Sequence, residues 1–428
     1  MQKITLIWFR RNLRLSDNAV LQHALARGLP LAAMYAWQRP SESVNPRQTA
    51  FHHQAAAEIL AALAAKGVPL FAVQGNVAEA VLDLAMRLNA KSVLADEAYT
   101  PSETERDNRI WRLLDAQGIA FERFNDRTVF AKAGIMSEHG RPYLEFAPYK
   151  QAWLQAFSQR IAEQRPSEQP DIPFQTAFAD LPPFPDMEPA ALMQQGGEQA
   201  AWRQWRQFAP QSGMYSLLKD FPAKKATSQL GAYLSAGCIS PRVLAAEAVA
   251  RGAHDWLENL IRRDFYQQWM FHHPEAAQQL DEESTVDAEF FRRWTQGVTG
   301  FPLIDAAMRC LQRSGWLPPV LRQAAAQFWC VTLQQPWQHG ARWFAQNQLD
   351  DDVAANIGNW QTVAGLLSLC APRVLHPTVT AQQFDPDGTF IRRHLPELAH
   401  LPKDVIHAPW LARADVDRHG YPLPMVEI

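Results

Sequence analysis

Three consecutive acids, Asp350, Asp351 and Asp352, stand directly before VAANIGNW, where a helix is expected to begin. Carboxylates at a helix start cap free amide groups and meet the positive end of the dipole, so capping alone accounts for them. Asp352, Asn356 and Trp360 add a four-residue spacing that sets a carboxylate, a neutral amide and an indole on one stripe of one helix. A flavin ring could use all three: an acceptor for its imide N–H, an uncharged partner near the redox nitrogen, and an aromatic electron donor alongside. Most of the fifteen tryptophans lie in the second half of the chain or its approach. A large helical core explains the majority of them; a planar aromatic ligand is the sharper reading.

These residues need elements to hold them. Residues 3 to 9, 30 to 36, 69 to 74, 92 to 96 and 119 to 124 are short apolar runs, each followed by a segment of helical periodicity. Strands alternating with helices imply a parallel, doubly wound sheet, so the first 130 residues are expected to form an α/β domain. Its first strand-to-helix turn, FRRNLRLSDN, has no glycine. A phosphate-cradling turn needs close backbone approach, so this domain is not expected to hold the main nucleotide. Residues 131–198 read as an interdomain connector, proline-rich from about 164 and closing on Gly196 and Gly197. Helical periods dominate 199–428, an all-α C-terminal domain.

Bulk properties exclude several classes. The chain has 428 residues, suiting two or three domains, and a net charge of only −3. MQKITLIWFRRNLRLSDN closes its apolar run with arginines, unlike a signal peptide, and no stretch is apolar and long enough to span a bilayer. A cytoplasmic location is the expectation. Cys238, Cys310, Cys330 and Cys370 are far apart and read as buried thiols, with no metal expected. Any affinity for nucleic acid must come from a local basic face, with Lys219, Lys224, Lys225, Arg242, Arg262, Arg263, Arg392 and Arg393 as candidates.

The blocks TGFPLIDAAMRCLQRSGW, QLDDDVAANIGNWQ and QQFDPDGTFIRRHLPEL closely resemble the C-terminal domain of the photolyase/cryptochrome family. WFRRNLRLSDNAVL and KDFPAKKATSQLGAYLSAGCISPR are similar to that family's start and flavin-binding entry. The resemblance implies an α/β N-terminal domain plus an all-α C-terminal FAD-binding domain, DNA as partner, and a monomer. It places flavin contacts at Tyr215, Thr227, Ser228, Leu230, Trp256, Arg263, Arg322, Phe344, Asp350, Asp352 and Asn356, and electron-transfer tryptophans at Trp360 and Trp337. Asn356 would tune the flavin, and Ser284 stands at the third tryptophan position. DNA contacts would include Lys219, Arg262 and Arg392. Gly231 replaces a hydroxyl that would bond phosphate, a loss of about 0.5–1.5 kcal/mol.

The same resemblance implies an altered lesion pocket. Asn259 stands for the dimer-binding acid, Arg262 and Thr362 for two stacking tryptophans, and Pro319, Val320 and Gln323 for further lesion contacts. Two lost aromatic walls remove about 2–6 kcal/mol of stacking, comparable with the few kcal/mol needed to extrude a nucleotide. Weak or absent cyclobutane-dimer repair is therefore expected, with an active dimer photolyase as the alternative. Pro318 and Pro319 fall where the related photoproduct enzymes carry histidines. Ser102 and Glu103 take the places of two folate contacts, leaving a folate antenna open but unsupported.

Overall fold

The computed structural model describes residues 2–161, 185, 192–367, 376–412 and 417–427; most of the proline-rich connector and Cys370 lie outside them. Five strands, β1 (Ile4–Phe9), β2 (Leu31–Ala36), β3 (Leu70–Val73), β4 (Ala90–Asp96) and β5 (Ala120–Phe124), form one sheet in the order β3-β2-β1-β4-β5. Every pairing is parallel. Period-two alternation sends Ile4, Leu6 and Trp8 into one core and Ile7 and Phe9 into another. The sheet is thus covered on both faces, as the alternation of strands and helices predicts.

The crevice beyond β1 and β4, where chain direction across the sheet reverses, is filled by side chains. Arg10 lies 2.8 Å from Asp96 and 2.7 Å from Asp107, with its guanidinium 4.6 Å from the centre of the Trp8 ring. The glycine-free turn gives two of its amides to the start of helix Glu198–Phe208: Leu15 and Ser16 N–H donate to Glu198 at 2.8 and 3.2 Å. A Cβ on Gly237, at φ +73, would fall 1.9 Å from the Arg11 carbonyl oxygen. Only glycine permits that backbone crossing between the domains.

Beyond the turn the domains share one core, with Phe51 packed edge-on against Tyr233 at 5.2 Å. Within the expected connector, helix Phe146–Ile161 packs against the long helix His254–His272. Helices Pro302–Ser314, Pro319–Gln327, Trp337–Asn347 and Val353–Val363 complete the frame around the acidic segment. Cys238 and Cys310 are buried free thiols and Cys330 is partly buried.

Candidate cofactor site

Between helices His254–His272, Pro319–Gln327 and Val353–Val363 lies an open cleft whose empty space, counting the solvent at its mouth, is about 900 Å³. Nine of the residues expected to touch the flavin line it: Tyr215, Thr227, Ser228, Leu230, Trp256, Arg263, Arg322, Asp350 and Asp352. Thr227 and Ser228 contribute hydroxyls from the loop before helix Gly231–Ala236. Leu230, Leu234, Leu260, Trp256 and Trp316 make the apolar wall. This mix of apolar wall and few converging polar groups is what a large cofactor site requires.

Asp352 does cap helix Val353–Val363, accepting from Ala355 N–H at 3.2 Å. The same carboxylate accepts from the Gln267 amide at 2.6 Å and faces Arg263 at 3.9 Å. Arg263 is held in turn by the carbonyl oxygens of Arg127 at 2.5 Å and Leu234 at 3.1 Å. Burial lowers its guanidinium pKa, opposed by the charges of Asp352 and Asp264. Arg322 pairs with Asp350 at 2.8 Å.

The other Asp350 oxygen, one oxygen of Asp351 and the Gln267 carbonyl oxygen are buried without a partner among the described residues. Burial, then the charge of Asp352, pushes the Asp351 carboxyl up to about 7. Unpaired buried acceptors beside the cleft suit a ligand bearing N–H and O–H donors. The residues therefore fit FAD.

Two expected flavin contacts do not line the cleft surface. Phe344 is buried behind it, and the Asn356 amide donates to the Ala341 carbonyl at 2.9 Å. Trp360 is buried and touches Phe344 and Trp294, with ring centres 5.2 and 6.2 Å away. Trp337 is buried and makes no ring contact among the described residues. Ser284 has no aromatic ring, and its hydroxyl is buried without a partner among the described residues.

Asn259 lies at the cleft mouth, its amide donating to the Trp256 carbonyl at 2.9 Å. Arg262 pairs with Glu258 at 2.9 Å and sits 3.9 Å from the centre of the Phe146 ring. Thr362 donates to the Gly358 carbonyl at 2.7 Å. Among the expected basic residues, Lys224, Lys225 and Arg393 are exposed. Lys219 sits 5.8 Å from the Tyr215 ring, and Arg392 bonds to the carbonyls of Asp387, Ala399 and Leu401. Arg242 and Arg263 cannot belong to a basic face. Arg242 is buried between Asp17 and Asp126, and Arg263 is held inside the cleft.

Glu103, which stands at one of the two folate positions, is engaged within the protein. It closes the capping box of helix Pro101–Asp115 and pairs with Arg127 at 3.0 Å. Burial raises its pKa, yet Arg127 and Arg11 together hold it well below the usual carboxylate range.

A family profile described as the FAD binding domain of DNA photolyase matches residues 256–428, and one described as DNA photolyase matches 5–171. A deoxyribodipyrimidine photo-lyase of Vibrio cholerae is 35% identical over 99% of this chain and 96% of its own length. The chain belongs to the photolyase/cryptochrome family. A class III photolyase structure from Agrobacterium tumefaciens superposes with TM-score 0.87 at 28% identity, covering 100% of this chain and 95% of that one. A Synechocystis cryptochrome structure gives TM-score 0.86 at 26% identity, covering 99% and 96%. Its family makes FAD the cofactor of this photolyase relative.

Missed from the sequence were Gln267, which holds Asp352, and Trp316, which walls the cleft. Asn259, Arg263 and Gln267 repeat every four residues along one helix, the very spacing that exposes the Asp352 stripe. That pattern was the available signal for Gln267. Trp316 carries none, because it stands in a loop between helices.

Proposed function

We propose that this chain is a flavoprotein of light-driven or redox electron transfer that works on or near DNA, with weak or absent repair of cyclobutane pyrimidine dimers. Bound FAD supplies light absorption and one-electron chemistry. Arg322, Thr227 and Ser228 bind its phosphate and ribose end. Asp352, oriented by Gln267 and Arg263, accepts an N–H from its ring. Asn356 tunes the flavin from behind, and Trp360 is the first electron donor. Lys219, Lys224, Lys225 and Arg393 offer positive charge for a phosphate backbone.

The observation that carries the low-repair reading is the state of Arg262. Its guanidinium is occupied by Glu258 and Phe146, while Asn259 brings no ionisable proton to the cleft mouth. An amide can bond a pyrimidine carbonyl but cannot hand over a proton, which removes one means of stabilising a dimer radical anion. A second reading, an active deoxyribodipyrimidine photolyase, is favoured by the name of the Vibrio cholerae relative.

The deciding experiment is light-dependent repair of a thymine-dimer oligonucleotide by the holoprotein, its flavin chemically reduced beforehand. Bound FAD with little repair supports the first reading. Efficient repair establishes the second.

A further inference from the structure

Trp360 touches a cluster of indoles that leads away from the cleft. The Trp294 ring centre lies 6.2 Å from that of Trp360, and Trp343 lies 5.6 Å beyond. Phe344 bridges the first gap, edge-on to Trp360 and stacked on Trp294 at 5.9 Å. Burial falls along the line: Trp360 and Trp294 are enclosed, whereas Trp343 is partly exposed. Trp329 also packs on Trp294, at 4.9 Å, but it is fully buried and its other ring neighbour is Phe291, which cannot hold the hole.

Resting on the electron-transfer reading above, we propose that electrons reach the flavin from the surface through Trp343, Trp294 and Trp360, with Trp343 as the terminal donor. Trp360 would give one electron to the bound, light-excited cofactor. Trp294 refills Trp360, and Trp343 refills Trp294, so the positive hole ends on the partly exposed indole. There the indole radical cation releases its N–H proton to water, and a soluble thiol returns one hydrogen atom, an electron with a proton, becoming a thiyl radical and restoring the neutral ring.

The two relay positions differ in the way this requires. The Trp294 indole N–H is buried with no acceptor among the described residues, so a hole on it has nowhere to lose its proton and must move on. Phe344 is too hard to oxidise to hold the hole and serves as packing between the rings. The other direction is less continuous: Trp337 is buried, makes no ring contact among the described residues, and Ser284, the next position of that series, cannot be oxidised by a hop.

The test uses FAD-loaded protein under blue light, without oxygen, with a thiol reductant. Two readouts are taken: the rate at which the oxidised flavin band disappears, and the tryptophanyl radical seen by transient absorption and electron paramagnetic resonance. Trp343→Phe should slow reduction by about tenfold or more and remove the long-lived radical, at unchanged FAD content. Trp343→Tyr, which keeps an oxidisable ring, should restore most of the rate, and Trp329→Phe should stay within about twofold of the parent. Unchanged kinetics in Trp343→Phe, or loss of the radical in Trp337→Phe alone, would overturn the route. Absence of any photoreduction in the FAD-loaded parent would instead remove the electron-transfer reading itself, and the route with it.

Discussion

Gly231 owes its small size to Asp350: a Cβ at position 231 would lie 2.3 Å from Asp350 Oδ2 and 2.9 Å from its Cβ. That carboxylate oxygen is the one paired with Arg322. The hydroxyl expected at this position by resemblance therefore has no space while the Arg322–Asp350 pair stands. What looks in sequence like a lost phosphate contact is, in the fold, a close approach that permits an ion pair on the cleft wall.

Restoring the hydroxyl should consequently weaken the site. Gly231→Ser and Gly231→Ala should each lower FAD affinity by about 5- to 150-fold, the equivalent of 1–3 kcal/mol of overpacking. Isothermal titration of reconstituted apoprotein measures it. Tighter binding by Gly231→Ser than by the parent would show that Asp350 yields and the hydroxyl reaches the ligand.

Arg127 joins the two domains. Its guanidinium pairs with Glu103 at 3.0 Å and faces Asp96 at 3.5 Å, while its carbonyl holds Arg263. Arg127→Leu takes one of two cations from each of two buried carboxylates, leaving Asp96 to Arg10 and Glu103 to Arg11, so its cost should stay below the about 3–5 kcal/mol of a fully stranded buried charge. A fall in melting temperature accompanied by reduced FAD content is expected. Because Glu103 serves this pair, added reduced folate should leave the near-ultraviolet spectrum of the purified protein equal to the sum of its components. A new bound-folate band would contradict that.

Changing the cleft mouth should change repair. Asn259→Glu combined with Arg262→Trp supplies an acid and an aromatic wall, the latter next to Phe146. One stacking wall is worth about 1–3 kcal/mol, so dimer repair by the pre-reduced holoprotein should rise by about 5- to 150-fold. Equal repair by parent and double variant would mean that these two positions do not limit it.

The architecture was legible because its signals are local. Each of the five apolar runs became a strand within two residues of its expected start, and the turn without glycine gives the Leu15 and Ser16 N–H groups to Glu198. The acids before VAANIGNW disclosed both a cap and a cleft wall, since both follow from helix geometry. Relations between distant segments were not legible. Nothing near Arg242 in sequence announces Asp17 and Asp126, so a buried bridging cation read as surface charge. Likewise Asn356 shares a helix with Asp352, yet its amide turns to Ala341 on a neighbouring helix. Periodicity assigns a face; only packing decides what that face meets.

Asp351 makes stability depend on pH. Burial and the adjacent Asp352 and Asp350 raise its carboxyl to about 7, against the pull of Arg11 and Arg322. In the unfolded chain the same group titrates near 3.9, so between these values the folded protein holds a proton that the unfolded chain has released. Binding more protons in the folded state means that stability falls as pH rises through this window and levels off above about 7. Asp351→Asn is uncharged throughout and removes the dependence. At pH 4 variant and parent should melt together, whereas at pH 8 the variant should be more stable by up to about 4 kcal/mol. Melting temperatures of the FAD-loaded proteins across this range provide the measurement. A difference that stays constant with pH would mean that Asp351 is ionised in the fold, with its unpartnered oxygen satisfied by water or by the cofactor.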